Sequence, residues 1–145
     1  MIDVICLGKI KEKYLVDLIE DYKKRISKYL KLNIIELPDD NNISIEEERI
    51  VSKIDKKSLL VLLDIEGKSM DSVSFSNFIE KSFINYPKIT FIIGGSTGVT
   101  DKIKNIVNVR LSFSSMTFPH GLFRGILLEQ IYRACKISHN ETYHK

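Results

Sequence analysis

The chain has 145 residues and a mass of 16.7 kDa, with 43% hydrophobic residues, 28% charged residues and a net charge of +3 at pH 7. This size and composition are typical of one soluble globular domain with a buried core, and so small a net charge does not by itself indicate a nucleic-acid-binding protein. No apolar run approaches the roughly 20 residues of a membrane span, and the first residues lack the pattern of a secretory signal. We therefore expect a cytoplasmic protein whose partners do not include a membrane.

The cysteines and the basic residues add two further expectations. Cys6 and Cys135 lie among apolar neighbours, without the paired spacing of metal ligands, so both are predicted to be buried thiols and no metal site is predicted. Basic residues are concentrated between Lys9 and Lys31, where eight Lys/Arg accompany four acidic residues. Such a run is usually a solvated helix face, and the alternative is a surface that contacts phosphates.

Short runs of apolar and β-branched residues alternate with amphipathic helical patterns along the chain. In chain order the predicted elements are a strand over Ile2–Leu7, a helix over Leu15–Leu30, a strand over Asn33–Leu37, a helix over Ile45–Ile54, a strand over Ser58–Leu63, a helix over Ser74–Ile84, a strand over Lys88–Ile93, a helix over Asp101–Val107, a strand over Val109–Phe113 and a long helix from Pro119. This alternation predicts the α/β class: a mainly parallel sheet of five to six strands with helices on both faces, in a single domain over residues 1–145.

In sheets of this class, ligands bind beyond the carboxyl ends of the strands. Three predicted loops lie there: Asp64–Asp71, Gly94–Thr100 and Ser114–His120. The glycine-rich loop lacks the spacing of a P-loop or of a dinucleotide fingerprint, and it has few basic neighbours. It therefore favours a ligand that contains an adenosine but no phosphate, while its alternative interpretation is a tight turn between a strand and a helix.

The other two loops also allow two interpretations each. The segment Leu63–Lys68 leads from a buried strand into polar residues, as a ligand-binding loop or a plain charged turn would. The segment Phe113–Phe118 combines small hydroxyl groups with bulky apolar side chains, which is the mixture that an adenine ring requires. Its alternative interpretation is the N-terminus of the final helix, with Thr117 as the cap.

The C-terminal segment from Met116 to Lys145 contains all three histidines of the chain, together with Arg124 and Arg133, and ends on the tripeptide YHK. Cations next to aromatic rings suit an RNA partner, and the alternative is that the arginines only raise solubility. The final helix also carries an apolar face wider than one core contact requires, which favours an interface between two subunits.

Several segments resemble those of a known family. IIGGSTG follows a predicted buried strand, LSFSSMTFPHGLFRGILLEQIYRA leads into the tail, and YHK ends the chain. Together with the segment LDIEGK, the length and the strand order, they resemble the RlmH family, small SPOUT-class methyltransferases that act on bacterial large-subunit ribosomal RNA. The chain departs from the commoner family pattern at Ser96-Thr97 and at Gly121, and these differences affect the fine shape of the pocket.

The resemblance implies a trefoil knot in the C-terminal part of the fold, S-adenosylmethionine as the cofactor bound in that knot, and a homodimer. It also implies methylation of the N-3 ring nitrogen of a pseudouridine in 23S ribosomal RNA. Because a net charge of +3 predicts weak binding to isolated RNA, the expected substrate is the assembled ribosome, and no DNA partner is expected. The implied cofactor-binding residues fall in the three loops described above: Leu63, Gly94, Phe113, Ser114, Ser115, Met116, Thr117 and Phe118.

The acceptor nitrogen of such a reaction is a weak acid that must lose its proton before it attacks the methyl group. The catalytic residues are therefore expected in the C-terminal segment, with His120 and His144 as possible bases, Arg124 and Arg133 as possible anion stabilisers, Tyr143 as a partner of the target base and Lys145 as a phosphate ligand. The main alternative is a non-catalytic ribosome- or RNA-binding module with the same fold. A nucleotide hydrolase would need a cluster of carboxylates near the glycine loop, where the sequence places only Asp101.

Overall fold

The computed structural model describes residues 1–145. Its strands are β1 (Ile2–Leu7), β2 (Leu32–Leu37), β3 (Leu59–Ser69), β4 (Ile89–Ile93) and β5 (Val109–Ser112). Its helices are α1 (Lys13–Ile26), α2 (Ile43–Lys53), α3 (Ser72–Asn85), α4 (Asp101–Ile106) and α5 (His120–Ser138). The five strands form one sheet in the order β2-β1-β4-β3-β5, and every neighbouring pair is parallel. The prediction of a parallel α/β sheet is confirmed, with five strands.

Helices cover both faces of this sheet, as the prediction requires. On one face α1, α3 and α5 contribute Ile19, Phe75 and Ile131 to the larger hydrophobic cluster. On the other face Ile50 of α2 and Ile103 of α4 join a smaller cluster. Strands β1 and β4 are buried along their whole length, because central strands of a parallel sheet have helices above and below. The loops that follow β3, β4 and β5 therefore open at the same edge of the sheet.

Strand β3 runs six residues further than predicted, because its polar end also pairs with β5. The register places Leu63 opposite Leu111 and then Lys68 opposite the same Leu111, so the residues in between bulge out of the ladder. Gly67 allows the strand to approach β5 closely again after the bulge, since a Cβ atom at this position would lie 2.6 Å from the carbonyl carbon of Arg110. The predicted loop Asp64–Asp71 is thus mostly an irregular strand, and alternating charge along it gave no sign of the backbone pairing.

The helices differ from the predicted ones in several of their ends and, for α2, in burial. Helix α1 ends at Ile26, and the predicted helical residues beyond it form turns. Helix α3 begins two residues early because Asp71 caps it, accepting a hydrogen bond from the Ser74 amide at 2.7 Å. Helix α5 begins after Pro119, so the alternative interpretation of Thr117 as its cap is wrong. Helix α2, predicted as a surface helix, buries the carboxylates of Glu46 and Glu47.

Cys6 and Cys135 are both buried and unpaired, as predicted for structural thiols. Burial raises the pKa of each thiol to about 11, so neither is a reactive thiolate near neutral pH. No helix combines the length and the apolar character that crossing a membrane requires.

Candidate functional site

A cavity of about 490 Å³ opens at the carboxyl ends of β3, β4 and β5, a volume within the usual range for small-molecule sites. All three loops that the sequence singled out contribute to its walls. Its lining residues are Leu62, Leu63, Asp64, Ile65, Glu66, Ile93, Gly94, Gly95, Ser96, Thr97, Gly98, Val99, Lys104, Leu111, Phe113, Ser114, Met116, Thr117, Phe118, His120 and Phe123. Seven of the eight residues proposed for cofactor binding line it, and Ser115 lies beside it, exposed.

Aromatic side chains build one wall of the cavity. Phe113 contacts Phe75 edge to face, with 5.5 Å between ring centroids, and Phe123 at 5.6 Å. Phe118 stacks on Phe123 at 6.1 Å. These contacts tie the loop after β5 to α3 and α5, so the apolar surface is held in place before any ligand binds. Such a wall suits a flat heterocycle.

The glycine loop forms the opposite wall, and it is also a tight turn. The Gly98 amide donates a hydrogen bond to the Gly95 carbonyl at 2.9 Å, and Gly98 has a φ of 78°. At Gly94 a Cβ atom would lie 2.9 Å from the Val99 side chain. The alternative interpretation of this loop as a tight turn is therefore confirmed, and its glycines leave backbone without side chains at three positions of this wall.

Few charges surround the cavity. Lys104 is the one cation in its lining, whereas Asp64 and Glu66 bring carboxylates. The Arg110 guanidinium forms an ion pair with the Asp64 carboxylate, with 2.6 Å between Nη2 and Oδ2. Burial works against ionisation of Asp64, but the Glu66 amide and Arg110 outweigh it and lower the pKa. The lining therefore offers no cluster of cations for a phosphate, in agreement with the expectation from the sequence.

His120 lies at the first turn of α5, on the border between this cavity and a second one. The second cavity, of about 420 Å³, is polar and includes Asp39, Asp40 and Glu46. The pKa of His120 is lowered, first by burial and then by the charge of Arg124, although Glu46 partly offsets this. The imidazole is therefore neutral at neutral pH and is able to accept a proton.

Arg124 lies one turn further along α5 and is almost fully buried. Its guanidinium forms a 2.6 Å ion pair with Glu36 and donates to the carbonyls of Leu7 and Gly8 at 3.3 and 3.2 Å. Its Nε atom is buried without a partner, and the residue lines neither cavity. These contacts tie α5 to the carboxyl ends of β1 and β2.

The tail folds back onto the C-terminal half of α5. The Arg133 guanidinium lies 4.8 Å from the centre of the Tyr143 ring, and its Nη1 atom lies 3.0 Å from His144 Nδ1. Glu129 accepts hydrogen bonds from Arg133 at 2.6 Å and from the Tyr143 hydroxyl at 3.1 Å. We call Glu129, Arg133, Tyr143 and His144 the tail cluster. Sequence reasoning missed Glu129, although its i, i+4 spacing from Arg133 was a usable signal.

The tail cluster and the cavity are separate within one chain. Arg133 lies ten residues beyond Phe123 on α5, which corresponds to about 15 Å along the helix axis. No member of the tail cluster lines the cavity. The remaining histidine, His139, packs edge to face against Tyr29, with 4.9 Å between ring centroids, and its Nδ1 atom lies 2.8 Å from the Cys135 carbonyl oxygen, outside both. The structure therefore places the three histidines in three different surroundings.

Similarity to known proteins agrees with this geometry. Residues 1–144 match the family model described as "Predicted SPOUT methyltransferase". The protein from Clostridium botulinum strain 657 named "Ribosomal RNA large subunit methyltransferase H" is 47% identical over 157 aligned positions, which cover 99% of each chain. A protein of the same name from Fusobacterium nucleatum subsp. nucleatum is 49% identical over 153 positions, again covering 99% of each chain.

Solved structures share the fold at much lower identity. A probable methylase family protein from Haemophilus influenzae Rd KW20 superimposes with a TM-score of 0.55 at 10% identity, covering 99% of this chain and 70% of that one. The SpoU methyltransferase AviRb from Streptomyces viridochromogenes gives a TM-score of 0.50 at 12% identity, covering 98% and 62%. The full-length match to the family model and the identity to the bacterial relatives show that this chain belongs to the SPOUT methyltransferase family.

Proposed function

We propose that this protein transfers a methyl group from S-adenosylmethionine to the N-3 ring nitrogen of a pseudouridine in large-subunit ribosomal RNA. Residues 1–145 form one catalytic domain that acts in the cytoplasm on the assembled ribosome. The observation that carries the proposal is the cavity at the ends of β3, β4 and β5, with its aromatic wall, its glycine wall and its lack of a cation cluster. The name of the relatives, which refers to ribosomal RNA of the large subunit, supports the substrate class.

The cavity fits the proposed cofactor. Leu63, Gly94 and the run from Phe113 to Phe118 would hold it, with the aromatic wall against the adenine ring and the bare backbone at the glycine loop for close approach. When bound, S-adenosylmethionine supplies a methyl group already activated on a sulfonium. The protein therefore has to exclude water, orient the acceptor and favour its deprotonated form.

The chain offers suitable groups for the acceptor. His120 borders the cavity with a lowered pKa, so its neutral imidazole can take the imide proton. Arg133 can stabilise the anion that remains. The pKa of Tyr143 is raised, first by burial and then by Tyr22 and Glu129, so this hydroxyl stays protonated and acts as a donor or a stacking surface. Arg124, in its buried contacts with Glu36, acts through the position of α5.

The separation of the tail cluster from the cavity supports a homodimer in which the tail of one subunit completes the cavity of the other. Exposed apolar side chains near the cavity mouth, Met116 and Leu122, offer a contact surface for a second copy. In that arrangement His144 is a second candidate for the base, and Lys145 approaches an RNA phosphate.

Mass spectrometry of ribosomal RNA from cells with and without the gene tests the proposal. We expect one N-3-methylated pseudouridine to disappear from 23S ribosomal RNA in cells without the gene. An unchanged nucleoside profile would contradict the function. Calorimetry with S-adenosylmethionine then separates the enzyme from a non-catalytic RNA-binding module, because the module would not bind the cofactor.

We expect methyl transfer to be much faster on assembled large subunits or ribosomes than on protein-free 23S ribosomal RNA. A net charge of +3 gives weak attraction to isolated RNA. The basic residues of α1 and its flanks, with only Lys13 and Arg25 in ion pairs on this helix, would gain contacts on the larger particle. Initial rates with a radiolabelled methyl donor measure the difference, and equal rates on both substrates would refute the requirement for assembly.

The pH dependence of methyl transfer distinguishes the two candidate bases. Because the pKa of His120 is lowered from 6.5, its imidazole stays neutral as the pH falls through that value. If His120 is the base, single-turnover rates on ribosomes hold as the pH falls to 6.5 and decline only below it. The variant His120→Asn should then be about 100-fold slower and lack this decline. A decline that persists unchanged in His120→Asn would assign the base to another residue.

A further inference from the structure

Helix α2 buries two consecutive carboxylates beside the glycine loop. Glu46 and Glu47 are only 4% and 2% exposed. A buried carboxylate is costly unless hydrogen bonds satisfy it, so the contacts of these two residues show what keeps them inside. Glu46 lies against the first end of the segment from Gly94 to Thr100, and Glu47 contacts its last residue.

Glu47 holds the far end of this segment. It accepts a hydrogen bond from the Thr100 amide at 2.8 Å, and the Thr100 hydroxyl lies 2.6 and 2.8 Å from its two oxygens. Thr100 is also the cap of α4, with its hydroxyl oxygen 3.3 Å from the Lys102 amide. One carboxylate therefore fixes the residue at which the glycine loop ends and the next helix begins.

Glu46 fills the space beside the near end. Its Oε2 atom accepts a hydrogen bond from the Asp40 amide at 3.0 Å. Its Oε1 atom would lie 2.9 Å from a Cβ atom at Gly95, so the side chain is seated directly against the bare backbone of the loop. The residues between the two ends, Ser96 to Gly98, are exposed. Two side chains of α2 therefore contact this wall of the cavity, one at each end of the loop.

We infer that Glu47 and Thr100 form a positioning pair for the cofactor: the carboxylate holds the glycine loop in the conformation that receives S-adenosylmethionine. This inference rests on the proposed cofactor. Glu47 does not line the cavity, so it acts on the ligand only through the loop. An unheld loop samples more conformations, and the ligand must then order it on binding, which weakens affinity without removing any direct contact.

The competing interpretation is that Glu47 only packs α2 against α4. The two roles differ in what they change. If Glu47 only packs the two helices together, its substitution lowers the melting temperature and leaves the affinity of the folded protein for S-adenosylmethionine unchanged. If Glu47 positions the loop, its substitution also lowers the affinity measured well below the melting temperature. A substitution of Thr100 that keeps the hydroxyl group then retains the wild-type affinity.

Calorimetric titration with S-adenosylmethionine on the full chain tests the pair, with melting temperatures recorded for each variant. We expect Glu47→Ala and Thr100→Val to bind about tenfold more weakly. Glu47→Ala removes the acceptor of both the amide and the hydroxyl of Thr100, and Thr100→Val leaves the Oε1 atom of the buried Glu47 without its donor. Thr100→Ser should bind like the wild type, as should the control Glu48→Ala, whose side chain is exposed on the same helix. Thr100→Val keeps the volume of the side chain, so it gives an answer even if Glu47→Ala fails to fold.

The double variant Glu47→Ala, Thr100→Val should bind no more weakly than the weaker single variant, because both changes break the same contact. Wild-type affinity in Thr100→Val, or a melting shift without a change in affinity, overturns the pair while leaving the proposed function in place. If the wild type itself binds no S-adenosylmethionine, the proposed function fails and the role of the pair fails with it.

Discussion

Removal of Tyr143, His144 and Lys145 should reduce methyl transfer to ribosomes by at least about 100-fold, while binding of S-adenosylmethionine stays within a few-fold of the wild type. The residues proposed to hold the cofactor are separate from the tail cluster within one chain, so the deletion removes groups proposed for the acceptor and leaves the residues proposed for the cofactor in place. Single-turnover transfer and calorimetry on the same preparation measure the two effects.

A matched control for the deletion is available in the tail itself. The variant His139→Asn changes the histidine that packs edge to face against Tyr29, outside both the cavity and the tail cluster, and should transfer methyl groups at a rate close to that of the wild type. Full activity of the shortened chain would contradict the catalytic tail. Loss of cofactor binding in the shortened chain would show instead that the tail supports the cavity.

Substitution of the two arginines of α5 should affect different properties: the rate of methyl transfer for Arg133 and the stability of the fold for Arg124. Arg133→Ala should slow methyl transfer by about 100-fold, because it removes the cation proposed to stabilise the acceptor anion and frees His144 and Tyr143. Its effect on the free energy of unfolding should stay near 1 kcal/mol, as for other partly exposed ion pairs. Arg124→Ala should lower the free energy of unfolding by about 3 kcal/mol, because Glu36 and two strand-end carbonyls lose their buried donor.

Urea unfolding followed by circular dichroism gives the stabilities, and single-turnover rates at a temperature where both variants are folded give the activities. The variant Arg124→Met, which refills the buried volume with an apolar side chain, should recover part of the lost stability. If Arg124→Ala proved as stable as the wild type and inactive, Arg124 would contact the acceptor, as the sequence first indicated.

The order of strands and helices could be predicted because short β-branched runs and helical periodicity alternate without interruption. The three loops of the cavity could be predicted from this order, because the carboxyl ends of parallel strands meet at one edge of the sheet. The extension of β3 could not be predicted, because it depends on the close approach of Gly67 to Arg110, residues far apart in sequence.

The buried carboxylates of α2 show a second limit. In a sequence, Glu46 and Glu47 are typical of a solvated helix face. Their burial depends on hydrogen-bond donors that the helical pattern does not reveal: the Asp40 amide for Glu46, and Thr100, 53 residues away, for Glu47. The tail shows a third, since the sequence groups the histidines of the last segment but gives no distance between them. The structure separates His120 from His144 by most of α5.

The cavity draws most of its walls from three segments, 62–66, 93–99 and 111–118, that come together only when the sheet has formed. The unfolded chain has no such site, so a ligand of this cavity shifts the folding equilibrium toward the native state. At a free ligand concentration about 100 times Kd, the shift is worth about 2.7 kcal/mol. The melting temperature of this protein should therefore report occupancy directly, and a panel of adenosine derivatives can be ranked by thermal shift without ribosomes or a radiolabel.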